Sequence, residues 1–268
     1  MVKNKIVCNI FICLLVIMCV TGCNKNDEAI SLLHKSAEKF HEADSVRTKI
    51  EVDTLFETVS NTTGTKMYLE LENTTDPLSG HAVGYSVFER DGFSTGGVVE
   101  IYQVSEGEEN VTYSRVNDIW TKEKGNNEAG SNEVRSEFLD PDEKPEKFKL
   151  KPDITEIEGM ETYELTGYMS GKDVMNIFDI SAVSGLSGIE DLDIKKLNRT
   201  QIPVMINIYK DSALPAKIYV DMTDVLDEIY KDMEENTTVS NFTITVKYED
   251  YGSIEPILVP EEVKQETE

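Results

Sequence analysis

The chain has 268 residues, of which 51 are acidic and 26 are basic, so its formal net charge at pH 7 is −25. Such a chain repels phosphate backbones, and its composition therefore excludes nucleic acid as a partner. All four cysteines lie within the first 23 residues, which leaves no disulfide, thiolate metal site or cysteine nucleophile in the remainder.

The N-terminal residues have the pattern of a bacterial lipoprotein signal. Two lysines precede an apolar run over residues 6–20, which is too short to span a bilayer because a spanning helix needs about 20 apolar residues. The sequence that ends in Gly22 and Cys23 resembles the lipobox, in which the cysteine receives a diacylglycerol and the chain is cut before it. We predict cleavage between Gly22 and Cys23 and a lipid anchor on Cys23. An ordinary secretory signal is the alternative.

This interpretation predicts the location of the protein and divides the chain into four segments. A diacylglycerol on Cys23 would hold the protein at the extracytoplasmic face of the bacterial cell membrane. The four segments are a signal peptide (1–22), a lipidated tether (23–26), a single domain (27–260) and a flexible acidic tail (261–268).

The domain begins with a predicted helix for which Asp27 is the N-cap. Apolar residues recur in it at spacings of three and four, which places them on one stripe of the helix. They are Ile30, Leu33, Ala37 and Phe40. A helix with one apolar stripe has to cover another element.

Alternating apolar and polar residues then predict antiparallel strands with one wet face. The alternation is strict over residues 50–56 and 67–71, and it is weaker over 82–89, 97–104 and 111–116 and near Trp120. Turn residues separate these segments, so we predict a meander.

The second half of the domain follows a polar, proline-containing stretch over residues 123–153, which is predicted to be a long exposed loop. The later elements alternate between strands and helices. They are a strand near 163–167, a helix from Ser170, a hairpin of strands 204–208 and 218–222, a helix over 223–233 and a strand over 242–248.

The sequence contains no motif for catalysis or metal binding. The segment 167–173 lacks the spacing and the Ser or Thr of a phosphate loop, and His34 and His41 are seven residues apart, which is not a chelating spacing on a helix. The acidic run 190–193 lacks the order of an EF-hand loop. We predict a protein that is not an enzyme, without catalytic residues, a metal or a cofactor.

Several short segments in the last third carry a resemblance to a known group. They are Ile202-Pro203-Val204, Leu214-Pro215-Ala216-Lys217-Ile218, Asp221-Met222-Thr223, Val246-Lys247-Tyr248-Glu249-Asp250-Tyr251-Gly252 and Val259-Pro260-Glu261-Glu262. The chain resembles uncharacterised lipoproteins of Firmicutes whose fold is similar to the LolA and LppX/LprG lipoprotein-carrier group. The resemblance implies an α+β fold, namely a strongly curved antiparallel sheet that forms an unclosed half-barrel, with helices covering its concave face. In the LolA and LppX/LprG relatives the concavity takes acyl chains.

The strand pattern supplies an apolar face for such a concavity. The candidate ligand face consists of Phe56, Met67, Leu69, Leu71, Phe242 and Ile244. One hypothesis is a carrier that binds a lipid or another amphipathic molecule there. The alternative is a non-catalytic scaffold whose core is filled by its own side chains and whose acidic outer face meets another envelope protein.

Overall fold

The computed structural model describes residues 25–107, 109–116, 118–125, 148–178, 194–233 and 237–267. The predicted signal, Gly22, Cys23 and the acidic run 190–193 lie outside these ranges. All the elements below belong to the described residues.

Eleven strands form one antiparallel sheet in the order β6-β5-β4-β3-β2-β1-β11-β10-β9-β8-β7. The strands are β1 (Ser45–Thr58), β2 (Thr62–Thr75), β3 (Leu78–Arg90), β4 (Phe93–Glu106), β5 (Glu109–Val116), β6 (Ile119–Gly125), β7 (Lys149–Ile157), β8 (Met160–Ser170), β9 (Gln201–Tyr209), β10 (Pro215–Asp221) and β11 (Thr237–Glu249). Strands β1 to β6 form the predicted meander, and β11 pairs with β1 to join the two halves of the sheet.

Five helices accompany the sheet in the described part of the chain. They are α1 (Lys25–His41), α2 (Gly171–Phe178), α3 (Ile194–Leu197), α4 (Thr223–Met233) and α5 (Glu261–Glu266). Helix α1 packs on β7 and β10, α2 on β8 and β9, and α4 on β11. These contacts place α1, α2 and α4 over the half of the sheet that contains β7 to β11.

The observed architecture confirms the predicted fold class. The sheet ends at β6 on one side and at β7 on the other, and among the described residues these two strands are not paired with each other, so the half-barrel is unclosed. Strands β1 and β7 to β11, with α1 to α4, are called the core half below. Strands β2 to β6 are called the wing.

The main hydrophobic core fills the concave side of the core half. Leu33 from α1, Leu226 from α4 and Leu197 from α3 are at most 2% exposed, and they pack with inward side chains of β8 to β11. Of the apolar stripe predicted for α1, Leu33 and Phe40 are buried and Ala37 packs against the core, whereas Ile30 is only half-buried and the neighbouring Ala29 is buried in its place. The core half therefore has its concavity occupied by its own side chains.

The C-terminal segment crosses the opposite, convex side of the wing. The backbone N–H of Ile257 donates to Ser79 Oγ at 3.0 Å, and Val259 and Val263 are buried against Tyr102 and other outward side chains of β4 and β5. We call residues 254–267 the C-terminal strap. The prediction of a flexible tail over 261–268 is corrected for residues 261–266, because they form α5 and Val263 is only 4% exposed.

Two predicted boundaries also change. Helix α1 begins at Lys25, so Asp27 lies inside the helix rather than at its N-cap, and part of the predicted tether over 23–26 is helical. The loop predicted over 123–153 is shorter at both ends, because β6 continues to Gly125 and β7 begins at Lys149. The residues at both ends of the predicted loop are mostly polar, which is typical of loops. Their backbone groups nevertheless hydrogen-bond to a neighbouring strand, and this pairing extends β6 and β7.

Candidate functional site

The register of the sheet defines which side chains share the concave face. Side chains directly opposite one another on paired strands point to the same side, and residues two apart along a strand do so as well. Val52 pairs with Ile244 of β11 and with Met67 of β2, and Ile244 belongs to the core beneath the helices. The face that contains these three residues is called the inner face.

All six residues of the predicted ligand face lie on the inner face, but they differ in accessibility. Phe242 and Ile244 are 0% exposed within the main core, so a ligand cannot reach them. Phe56 and Met67 are half-buried and pack against the edge of that core.

Leu69 and Leu71 are half-buried and lie beyond the border of the core. The predicted face is thus corrected to its wing side, where Met67, Leu69 and Leu71 remain available for contact with a ligand.

The aromatic residue at the border is held by the core. The ring of Phe56 meets Tyr230 of α4 edge to face at a centroid distance of 5.6 Å, and it meets Phe242 at 6.5 Å. Such edge-to-face pairs fix the orientation of a ring beyond what burial alone does. Phe56 therefore marks where the filled part of the concavity ends.

Neighbouring strands extend the apolar face across the wing. Leu71 pairs with Ala82, which pairs with Ile101, and Leu69 lies in the next row with Gly84 and Val99. The side chains of Leu69, Leu71, Ala82, Val99 and Ile101 are half-buried. Rows two residues apart are separated by about 7 Å and adjacent strands by about 5 Å, so the surface is large enough for an alkyl chain.

Sequence reasoning missed Ala82, Val99 and Ile101 as parts of this face. The alternation in β3 and β4 is blurred by apolar residues on the outer side, such as Val83 and Val98, which occupy the intervening positions. A strand with apolar residues on both faces has no period of two from which to choose the inner one. The glycines and serines of β3 and β4 do not contribute to a hydrophobic pattern either.

Polar residues border the apolar rows along the strands. Thr48 and Asn73 lie at one end of the inner face and Thr65 at the other, and each is at most 8% exposed. Thr48 Oγ1, Thr65 Oγ1 and Asn73 Nδ2 make no hydrogen bond within the described part of the chain. Buried polar atoms usually have a hydrogen-bond partner, and these three have none among the described residues. Because their side chains are polar, these residues mark the two ends of the apolar surface.

The outer face of the same strands carries paired charges. Arg47 donates to Glu72 Oε1 from Nη2 at 2.5 Å and also pairs with Asp250, and the hydrogen bond with Glu72 raises the pKa of Arg47. Lys49 pairs with Glu249. These contacts join β1 to β2 and β11 on the outer face.

Glu100 is the most highly connected carboxylate of the outer face of the wing. It accepts a hydrogen bond from the hydroxyl of Tyr102 at 3.0 Å, pairs with Arg115 at 2.8 Å and lies 3.2 Å from His81 Nε2. Burial and the bond to Glu100 raise the pKa of Tyr102 to about 12. Because its oxygens already have partners on three strands, Glu100 acts as a structural crosslink.

Beside this network the outer face exposes apolar side chains. Val83, Tyr85 and Val98 are 39%, 50% and 57% exposed, and Tyr85 stacks on Tyr68 at a centroid distance of 5.7 Å. We call Val83, Tyr85 and Val98 the outer patch. Exposed apolar groups that lie together are typical of contact surfaces.

Two further findings concern metals and membrane spans. The described residues contain no group of three or more His, Cys, Asp or Glu side chains arranged to hold a metal ion. None of the helices in the described ranges is long and apolar enough to cross a membrane.

The fold and the site define an open antiparallel half-barrel in which one half of the concavity is filled and the other presents apolar side chains. The chain belongs to the family of unknown function DUF6612, whose model matches residues 28–268. No curated protein matches the chain.

The solved structures that are similar to this one include two mycobacterial proteins. LprF from Mycobacterium bovis is 14% identical with a TM-score of 0.48, and the match covers 88% of this chain and 97% of that one. The lipoprotein LppX from Mycobacterium tuberculosis is 14% identical with a TM-score of 0.45, and the match covers 87% of this chain and 99% of that one.

Proposed function

We propose that this protein binds the acyl chain of a lipid or another amphipathic molecule on the inner face of the wing, and that Cys23 anchors it to the extracytoplasmic side of a bacterial membrane. The observation that carries the proposal is the half-buried apolar surface around Leu69, Leu71, Val99 and Ile101. It lies beside a filled core but outside it. An apolar concave surface with polar borders is the common form of a site for an apolar ligand.

Binding would be an equilibrium burial of alkyl groups without a covalent step. Each buried methylene contributes about 0.8 kcal/mol, so a chain of several methylenes that contacts Leu69 and Leu71 binds with useful affinity. The binding requires no metal or cofactor. Because Phe242 and Ile244 form the floor of the adjacent core, they support the site without touching the ligand.

Native mass spectrometry of the chain from residue 24 onward tests the proposal directly. This part contains every described helix and strand, and we expect it to carry a lipid in a one-to-one ratio that solvent extraction identifies. An apo mass that stays unchanged after incubation with membrane lipids would refute acyl binding.

The anchor has its own test in cells. We expect Cys23→Ser to release the mature protein from the membrane into the medium, because no lipid can then be attached. Fractionation followed by immunoblotting measures the released share. A Cys23→Ser protein that has lost its signal peptide and still stays in the membrane fraction would contradict the anchor, and Cys19→Ser is the matched control.

A second candidate function is that of an interaction module that binds an envelope protein without carrying a ligand. The exposure of Val83, Tyr85 and Val98 on the outer face favours it. Crosslinking in cells separates the two candidates. Under the module hypothesis, Tyr85→Ser with Val98→Ser abolishes a crosslink to a partner, whereas Leu69→Ser with Leu71→Ser on the inner face leaves the crosslink intact.

A further inference from the structure

Two of the most exposed large apolar residues of the described chain occupy neighbouring hairpin turns. Val59, in the turn between β1 and β2, is 86% exposed, and Phe93, directly after the turn between β3 and β4, is 82% exposed. The meander places both turns at the same end of the sheet. We call residues 58–62 and 90–93 the hairpin rim.

Hydrogen bonds hold the two turns of the hairpin rim together. The backbone N–H of Thr62 donates to Asp91 Oδ1 at 3.0 Å, and the N–H of Asp91 donates to the carbonyl oxygen of Thr62 at 3.1 Å. Val59 and Phe93 therefore belong to two turns that are hydrogen-bonded to each other.

Each turn is also fixed internally. Thr58 Oγ1 donates to Asn61 Oδ1 at 2.7 Å and accepts from the N–H of Asn61 at 3.0 Å. Asp91 and Gly92 have φ angles of 51° and 82°, as in a two-residue hairpin turn of type I′. A well-ordered turn that exposes an apolar side chain loses little entropy when that side chain is buried elsewhere.

The hairpin rim is nearly uncharged in a strongly acidic protein. Residues 58–62 contain no ionisable side chain, and the one cation of the other turn, Arg90, lies 4.0 Å from Asp91. The chain as a whole has a net charge of −25. The turns themselves therefore add no net charge, but exposed Glu57 and Glu89 directly precede them, which favours a zwitterionic over an anionic lipid surface.

The rim also lies at one end of the inner face. Phe93 pairs with Arg90 in the same inner-face row as Thr63, and Phe88 lies one row further along β3. Half-buried Phe88 and Met67 then connect this row to the ligand face. From the rim, an acyl chain would first cross the row that contains Thr63 and Arg90 and would then reach Phe88, in the row of Thr65, and Met67 in the row beyond it.

We propose that the hairpin rim docks on a lipid bilayer by inserting Val59 and Phe93, and that the acyl ligand passes between the bilayer and the inner face at this point. The second part rests on the proposed function, whereas docking itself does not. The two exposed apolar side chains, the uncharged turn over residues 58–62 and the position at one end of the ligand face favour a zwitterionic bilayer as the partner of this surface.

The depth of single labels on vesicles tests the docking. The chain from residue 24 onward has no cysteine, so Val59→Cys, Phe93→Cys and Leu258→Cys each carry one environment-sensitive fluorophore. Leu258 is a matched control because it is 82% exposed but belongs to the C-terminal strap, near the other end of β3. The protein is attached to phosphatidylcholine vesicles through an N-terminal histidine tag and a nickel-chelating lipid. This attachment replaces the lipid anchor proposed on Cys23.

We expect labels at positions 59 and 93 to be quenched by a quencher in the acyl region and the label at 258 to be quenched by aqueous iodide. Equal quenching by iodide at all three positions would overturn the docking. This result does not depend on whether the protein binds a ligand.

The rate at which a fluorescent acyl lipid moves from vesicles to the protein tests the second part. Burial of one such side chain is worth about tenfold in an equilibrium, so we expect Val59→Ser with Phe93→Ser to slow transfer by about tenfold or more. The dissociation constant should stay the same, and Leu258→Ser should change neither quantity. An unchanged rate in the double variant would overturn transfer through the rim, and failure of the wild-type protein to bind any acyl lipid would instead refute the proposed function.

Discussion

Leu69 covers Gly84 on the neighbouring strand, and the fit leaves no space for a side chain at position 84. A Cβ atom at this glycine would come within 2.7 Å of Leu69 Cδ1 and 2.6 Å of the carbonyl oxygen of Tyr68. The two residues are direct register partners of β2 and β3 on the inner face. The close approach keeps the side chain of Leu69 low on the sheet, where it forms part of the apolar floor.

This contact predicts the effect of Gly84→Ala. The new methyl group has to displace both Leu69 and the backbone of β2, so we expect a loss of about 1–3 kcal/mol in the free energy of unfolding, measured by urea denaturation. Gly64→Ala is the comparison with a smaller expected loss, because a Cβ there meets its nearest atom, the carbonyl oxygen of Thr54, at 3.3 Å, and a shift of a few tenths of an ångström relieves the contact. Equal stabilities of the two variants would contradict the close contact of Gly84 with Leu69 and with the backbone of β2.

The ligand face itself predicts a change in affinity. Replacing Leu69 and Leu71 by serine removes apolar contact from the inner face, and we expect the dissociation constant for a fluorescent acyl ligand to rise by about 10- to 100-fold. The control is Val83→Ser, which changes the outer face of the adjacent strand. If the control weakened binding as much as the double variant, the ligand would not lie on the inner face.

The C-terminal strap predicts a local effect of Val263→Asp. This substitution places a charge among Tyr102, Val111 and Tyr113 in a cluster separate from the main core. We expect hydrogen exchange of residues 254–267 to accelerate while β8 to β11 keep their protection. Gln265→Asp, at an exposed position of α5, should leave exchange unchanged. Global unfolding of the Val263→Asp variant would contradict the independence of the two clusters.

Asp227 predicts a dependence of stability on pH. A hydrogen bond from Lys231 and one from the backbone N–H of Val239 at 3.0 Å lower its pKa below the ordinary value of 3.8, although burial opposes the shift. Since the folded form has the lower pKa, this stabilisation is present above pH 3.8 and is lost as the pH falls through the folded pKa.

We expect Asp227→Asn to cost about 1 kcal/mol at pH 7 and much less near pH 2, as measured by urea unfolding at both pH values. Exposed Glu228→Gln on the same helix is the control. A cost of Asp227→Asn that is the same at both pH values would show that the charge of this carboxylate does not contribute.

The sequence by itself determined the elements whose pattern is local. Helix α1, the strands around Ile50 and Leu69 and the hairpin of β9 and β10 follow from the spacing of apolar residues, because burial on one face repeats with the period of the backbone. The strand order of the meander follows from the short turns, because a short turn makes consecutive strands neighbours in the sheet. The resemblance noted from the last third of the chain added the unclosed half-barrel.

The tertiary structure alone decided which apolar residues are core and which are accessible. Ile244 and Leu69 have the same pattern in the sequence, yet α4 packs on β11, where Ile244 is 0% exposed, whereas Leu69 is half-buried outside the core. Likewise Val263 is buried in an acidic stretch because the strap crosses the wing, and Val59 and Phe93 lie on one rim because their turns are hydrogen-bonded. Such contacts join residues far apart in the chain, and local periodicity carries no information about which distant element covers a given face.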